Sequence, residues 1–164
     1  MNEENATPPS GSQGAAAEPT APRYIDIGNG RKMFGGSFFD APPPWEDFLT
    51  INLMAESPQL PSDLYLPIQD YSVPSDPELM TEIFEKIKAS PEDVYVGCWG
   101  GIGRTGLFMS CYLKYTGVED PLKVVRKDYN EHAVETPGQM DFLADFPAPN
   151  PPRSALSRWF GRRV

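Results

Sequence analysis

Apolar positions along the chain fall into short patterned blocks separated by proline and glycine. Tyr24-Ile25-Asp26-Ile27 reads as a strand, Gly28-Asn29-Gly30 as a hairpin turn, and Lys32-Met33-Phe34 as the start of a return strand. Gly35-Gly36-Ser37 reads as a turn into a loop holding Ala41-Pro42-Pro43-Pro44-Trp45, with Phe38, Phe39 and Trp45 as packing residues. Phe48 to Met54, Leu64 to Ile68 and Val94 to Val96 are apolar runs of strand length. Met80, Ile83, Phe84 and Ile87 recur at helical spacing after Asp76-Pro77, a cap followed by an N1 proline, and this stripe is expected to cover the sheet. From Thr105, the residues Leu107, Phe108, Cys111, Tyr112 and Tyr115 predict a buried helix that stops at Gly117. A helix after Asp120-Pro121 turns Leu122, Val125 and Tyr129 inward and Lys123, Arg126 and Lys127 outward. Thr136-Pro137 then caps a last helix anchored by Phe142 and Leu143. His132 falls in an exposed turn. Strands alternating with helices predict an α/β fold, a central and mostly parallel sheet of about four to five strands flanked by helices.

The pattern covers the middle of the chain only. Residues 1–22 are small, polar and proline-rich and predict a disordered leader, either an inert tail or a secretion or docking signal. Residues 23–146 form the predicted domain. Residues 147–164 give a proline-rich spacer and a basic tail with Trp159 and Phe160, either a disordered end or a segment that contacts a partner or a membrane surface.

Candidate chemistry concentrates in residues 94–106. The strand Val94-Tyr95-Val96 runs into Cys98-Trp99-Gly100-Gly101-Ile102-Gly103-Arg104-Thr105-Gly106, a glycine-rich turn that opens a helix. Such a turn points backbone N–H groups inward, and the helix start adds unpaired N–H groups and a positive dipole end, together a cradle for a tetrahedral oxyanion. Cys98 at the start of this cradle is a candidate nucleophile, because the same field favours the thiolate. Arg104 offers a planar fork for two phosphate oxygens, and the Thr105 hydroxyl is placed to hydrogen-bond the sulfur. The backbone of Trp99, Gly100, Gly101, Ile102 and Gly103 completes the predicted phosphate-binding loop. A buried cysteine in a turn that binds nothing is the plainer alternative, but it leaves Arg104 unpaired without a purpose.

Cysteine, five residues, arginine, Ser/Thr and glycine resembles the signature of cysteine-dependent protein tyrosine phosphatases. The filling Trp-Gly-Gly-Ile-Gly is most similar to the dual-specificity branch, notably the cyclin-dependent kinase inhibitor phosphatase type. That resemblance implies a cysteinyl-phosphate mechanism without cofactor or metal, acting on a phosphoprotein. It also implies a general acid about 30 residues upstream after a Pro-Ile pair. Pro67-Ile68-Gln69-Asp70 matches, 28 residues before Cys98, so the role passes to Asp70, with Asp63 and Asp76 as rivals. Glu135-Thr136-Pro137 followed by Gln139 resembles a late segment of the same family, which implies that Gln139 orients the hydrolytic water. One departure stands out. The family places His before the cysteine, whereas Gly97 occupies that position here, which predicts a looser loop or a slower enzyme. It also keeps open a second reading, a pseudophosphatase that binds phosphoproteins without turnover.

Composition narrows the partners. The chain of 164 residues carries 23 acidic against 14 basic side chains, a net charge of −9. Arg153, Arg158, Arg162 and Arg163 all follow the last acidic residue, so residues 1–146 hold 10 basic and 23 acidic groups, a net −13. That charge argues against nucleic acid, including an RNA 5′-phosphate, and against phosphoinositides, as does the absence of lysine from the loop. Two cysteines make no disulfide framework, and no apolar run approaches a membrane span, so a cytoplasmic protein is expected, or a secreted effector if the leader is a signal. With no aromatic recognition loop apparent, the pocket is expected to be shallow and to admit phosphoserine and phosphothreonine beside phosphotyrosine.

Overall fold

The computed structural model describes residues 23–39 and 47–148. Trp45, the leader, and the basic tail with Trp159 and Phe160 therefore lie outside the described residues. Among the described residues, five strands, β1 (Tyr24–Gly28), β2 (Arg31–Ser37), β3 (Phe48–Met54), β4 (Leu64–Ile68) and β5 (Asp93–Cys98), form one sheet in the order β1-β2-β5-β3-β4. Within this sheet of described residues the β1–β2 hairpin is antiparallel, and β2–β5, β3–β5 and β3–β4 pair in parallel. The described residues also form the helices α1 (Pro77–Ala89), α2 (Gly103–Tyr115), α3 (Pro121–Asp128) and α4 (Pro137–Asp145). The expected α/β architecture is present.

β5 occupies the centre of the sheet because it is apolar on both faces. Val94, Tyr95 and Val96 are all buried, as suits a parallel strand covered on both sides. Its carboxyl end delivers Cys98 to the place where open α/β sheets bind ligands. β2 extends past the predicted turn: Gly35, Gly36 and Ser37 are strand residues opposite Val96, Gly97 and Cys98. Gly35 and Gly36 are tied to glycine by close approach. A Cβ on Gly35 would stand 2.6 Å from Met109 Cε, 2.8 Å from Thr105 Cγ2 and 2.9 Å from the Tyr129 ring. Gly35 thus lets α2 and Tyr129 press onto the sheet beside the functional loop, and a Cβ on Gly36 would stand 2.8 Å from the Tyr95 hydroxyl.

α2 is buried along residues 103–113, as its all-round apolar pattern predicts, and it begins two residues earlier than Thr105. The α1 stripe meets more than the sheet. Phe84 packs edge to face on Phe108 and Tyr112 of α2 and on Phe146, with ring centroids 5.2, 5.3 and 5.8 Å away. Asp76 caps α1 by accepting the Leu79 N–H at 3.0 Å. Asp63 ties β4 to β3: its Oδ2 accepts the Thr50 N–H and hydroxyl at 2.8 and 2.9 Å, and its own N–H donates to Thr50 Oγ1 at 2.9 Å. Both rivals of Asp70 are therefore occupied by structural hydrogen bonds.

Candidate active site

A cavity of about 180 Å³ lies at the carboxyl end of β5, lined by Asp70, Tyr71, Cys98, Trp99, Gly100, Ile102, Gly103, Arg104 and Glu135. The sulfur of Cys98 accepts two hydrogen bonds, from the Gly101 N–H and the Thr105 hydroxyl, each at 3.2 Å. Gly101 reaches inward at φ +70 and could not carry a side chain, since a Cβ would lie 2.5 Å from the Gly36 backbone. Its carbonyl accepts a bond from the Tyr129 hydroxyl, whose ionisation burial opposes strongly. Gly36 from behind and Tyr129 from α3's end therefore fix the loop.

The position that resembles the family's histidine is closed sterically. A Cβ on Gly97 would lie 2.9 to 3.0 Å from three atoms of Phe38, which is buried and whose N–H donates to the Cys98 carbonyl at 2.9 Å. Phe38 thus stands where a larger residue at 97 would go and orders the strand end through its backbone.

Arg104 is 2% exposed, which demands that its donors be met. Glu56 holds Nη1 and Nη2 bidentately at 2.7 and 2.8 Å, and Nη1 also donates to the Ile68 carbonyl at 3.0 Å. Asp70 Oδ1 lies 3.4 Å from Nη2. Nε is buried without a partner, a donor left for an anion's oxygen. Burial alone would lower the Arg104 pKa, but the Glu56 hydrogen bonds and the charges of Cys98, Glu56 and Asp70 raise it, so the fork stays cationic. Glu56 was invisible to sequence reasoning, because it lies 48 residues from Arg104 and follows β3 in a segment with no motif.

Asp70 follows β4 at the mouth, with its side chain 60% exposed. The next turn is pinned to α4: the Thr136 hydroxyl donates to the Tyr71 carbonyl at 3.2 Å, and Gln139 Nε2 donates to the Ser72 carbonyl at 3.0 Å. This corrects the water-orienting role expected of Gln139. Its side chain is fully buried and does not line the cavity, and Oε1 accepts the Glu135 and Thr136 N–H groups at 2.9 and 3.3 Å in a capping box. With both ends engaged, Gln139 positions the loop that carries Asp70. The cavity's own residue from this segment is Glu135. It follows Val134, whose φ of +64 is costly for a β-branched residue. Arg126, read from sequence as outward-facing, holds that turn through the Ala133 and Val134 carbonyls at 3.0 and 3.3 Å.

Two stability measurements check this construction. Arg104 holds the Glu56 carboxyl below its ordinary value of 4.5. A carboxyl depressed on folding stabilises above its unfolded pKa and loses that contribution as pH falls through the folded value. Glu56→Gln should therefore melt below wild type at neutral pH, with the gap closing on acidification below 4.5; a pH-independent gap contradicts the pairing. Gly97→His should destabilise by about 1–3 kcal/mol through overpacking on Phe38. In urea titrations, the double variant with Phe38→Ala should lose less than the two singles combined.

Known proteins resemble this chain in sequence and fold. The family model described as "Swiss Army Knife protein, DSP-PTPase phosphatase domain" matches residues 50–148. Two uncharacterized proteins of Methanocaldococcus jannaschii are 37% and 34% identical over 93 residues, 56% of this chain, and the match spans 63% and 58% of their own lengths. The crystal structure of Tk-PTP in the active form is similar at 26% identity and TM-score 0.58, over 76% of this chain and 96% of that one. Kinase associated phosphatase, in a structure with its catalytic cysteine replaced, shares the fold at TM-score 0.60 and 14% identity, over 91% of this chain and all of that one. Residues 50–148 hold the cradle, its arginine and the Asp70 loop, and the chain belongs to the DSP-PTPase phosphatase domain family of the Swiss Army Knife proteins.

Proposed function

We propose that the chain is a protein phosphatase that hydrolyses phosphotyrosine, with phosphoserine and phosphothreonine as further substrates, through a cysteinyl-phosphate. One observation carries the reading: a sulfur that accepts hydrogen bonds from a loop N–H and a hydroxyl, in a cavity whose buried guanidinium keeps an unpartnered Nε.

The steps follow from the groups present. Cys98 Sγ attacks phosphorus in line; the S–P bond forms as the P–O bond to the leaving group breaks. Arg104 and the amides of residues 99–103 hold the equatorial oxygens, whose charge peaks as the bonds exchange. Asp70 delivers its proton to the departing oxygen, and its carboxylate then takes a proton from the water that attacks the phosphocysteine. The S–P bond breaks, and the thiolate leaves onto the Thr105 hydroxyl and the Gly101 N–H. Gln139 acts at a distance, by holding the turn after Asp70.

The cavity also supports a monoester substrate. At about 180 Å³ it is smaller than the roughly 300–1,000 Å³ of pockets that enclose whole drug-sized ligands. Asp70 and Glu135 line it and Glu56 stands behind Arg104, so further phosphates on a substrate would meet carboxylates.

Hydrolysis of a small aryl phosphate across pH, with chelator present, tests the proposal. Wild type should turn over, and Cys98→Ser should be inactive. Asp70→Asn should lose about 10²–10⁴ in kcat, together with the decline on the alkaline side that a required acid imposes. Equal inactivity of wild type and Cys98→Ser, with both binding a phosphopeptide, would favour the pseudophosphatase instead.

A further inference from the structure

Single exposed apolar side chains are ordinary, but a cluster around one opening calls for a reason. Among the described residues, Tyr71 and Trp99 are 64% and 62% exposed, and both line the Cys98 cavity. Phe39, 52% exposed, sets its ring edge-on to Trp99 with centroids 5.0 Å apart and planes at 73°. These rings are held in place by the machinery of the loop itself. Trp99 follows Cys98 directly, and the residue before Phe39 donates its N–H to the Cys98 carbonyl. Tyr71 sits at φ +58, with its N–H given to Asp70 Oδ1 and its carbonyl bonded by Thr136. A tyrosine in the left-handed region is unfavourable, yet it is maintained beside the proposed acid.

We infer that Tyr71 and Trp99, the latter backed by Phe39, are specificity-determining residues that select phosphorylated phenols over phosphorylated alcohols. The inference rests on the phosphatase reading and names its substrate class. With phosphorus in line with Cys98 Sγ, the group joined to the ester oxygen leaves through an opening that Tyr71 and Trp99 line. A phenyl ring there meets aromatic edges and faces. The shorter side chain of phosphoserine or phosphothreonine offers no ring, and it draws the peptide backbone down toward the rim carboxylates. The aromatic wall expected to be missing is supplied by residues from three separate loops, so the mouth is narrower in chemistry than the phosphate loop alone suggests.

The test uses the full chain and three peptides identical except for phosphotyrosine, phosphoserine or phosphothreonine. Wild type should prefer phosphotyrosine in kcat/KM by about tenfold or more. Trp99→Ala and Tyr71→Ala should each shrink the phosphotyrosine-to-phosphoserine ratio by about two- to tenfold, while Trp99→Phe largely keeps it. Equal wild-type rates on the three peptides, or a ratio that neither alanine variant moves, would overturn the inference. If no peptide is turned over, the phosphatase reading fails separately. Discrimination is then read as binding to Cys98→Ser: tighter phosphotyrosine peptide supports the aromatic mouth, and equal affinities overturn it.

Discussion

A guanidinium that is almost wholly buried imposes a condition on everything around it. Its charge must be balanced and its donors must be occupied, or the fold loses several kcal/mol at that point. Glu56 and the Ile68 carbonyl satisfy Arg104 on one side, which requires the ends of β3 and β4 to stand beside the first turn of α2. That arrangement leaves Nε without a partner while Arg104 lines the cavity beside Cys98. Asp70 is drawn near by the same charge, 3.4 Å from Nη2. One electrostatic requirement therefore gathers three elements and points them at one volume.

Close backbone approach does the remaining work. Gly36 lies behind Gly101, Gly35 admits α2 and Tyr129, and Gly97 makes room for Phe38. These glycines let the loop that turns the Gly101 N–H onto Cys98 rest against a strand, so its geometry is set by van der Waals contact as well as by hydrogen bonds. A rigid cradle matters because donors fixed before reaction need not reorganise as charge develops. On the opposite rim, α4 holds the Asp70 turn through Thr136 and Gln139. The candidate acid can thus remain exposed while its backbone is anchored.

Local signals carried much of this into the sequence. The strand, glycine turn and apolar helix around Cys98 are contiguous, and their periodicity specified a central strand and a buried helix. The hairpin turn at Gly28-Asn29-Gly30 and the caps at Asp76 and Thr136 were equally legible, since each depends on neighbours in the chain. What stayed hidden required contacts across long separations. Glu56 gives no sign of its distant partner, and Gly35-Gly36 looks like a turn unless the packing of α2 on β2 is known. Gln139 matched a family segment, but burial and its capping box fixed a different use. The ring pair of Phe39 and Trp99 depends on β2 ending beside β5, a pairing that no local pattern encodes.

The most direct measurement is to quench the reaction of Asp70→Asn with a small aryl phosphate in acid within one turnover and map the phosphorylated peptide by mass spectrometry. The account predicts one added phosphoryl group on the peptide containing Cys98, and none when Cys98 is also replaced by Ser. Turnover by wild type without any phosphoryl group ever found on Cys98, or its appearance on another residue, would contradict the role assigned to the cysteine and its cradle.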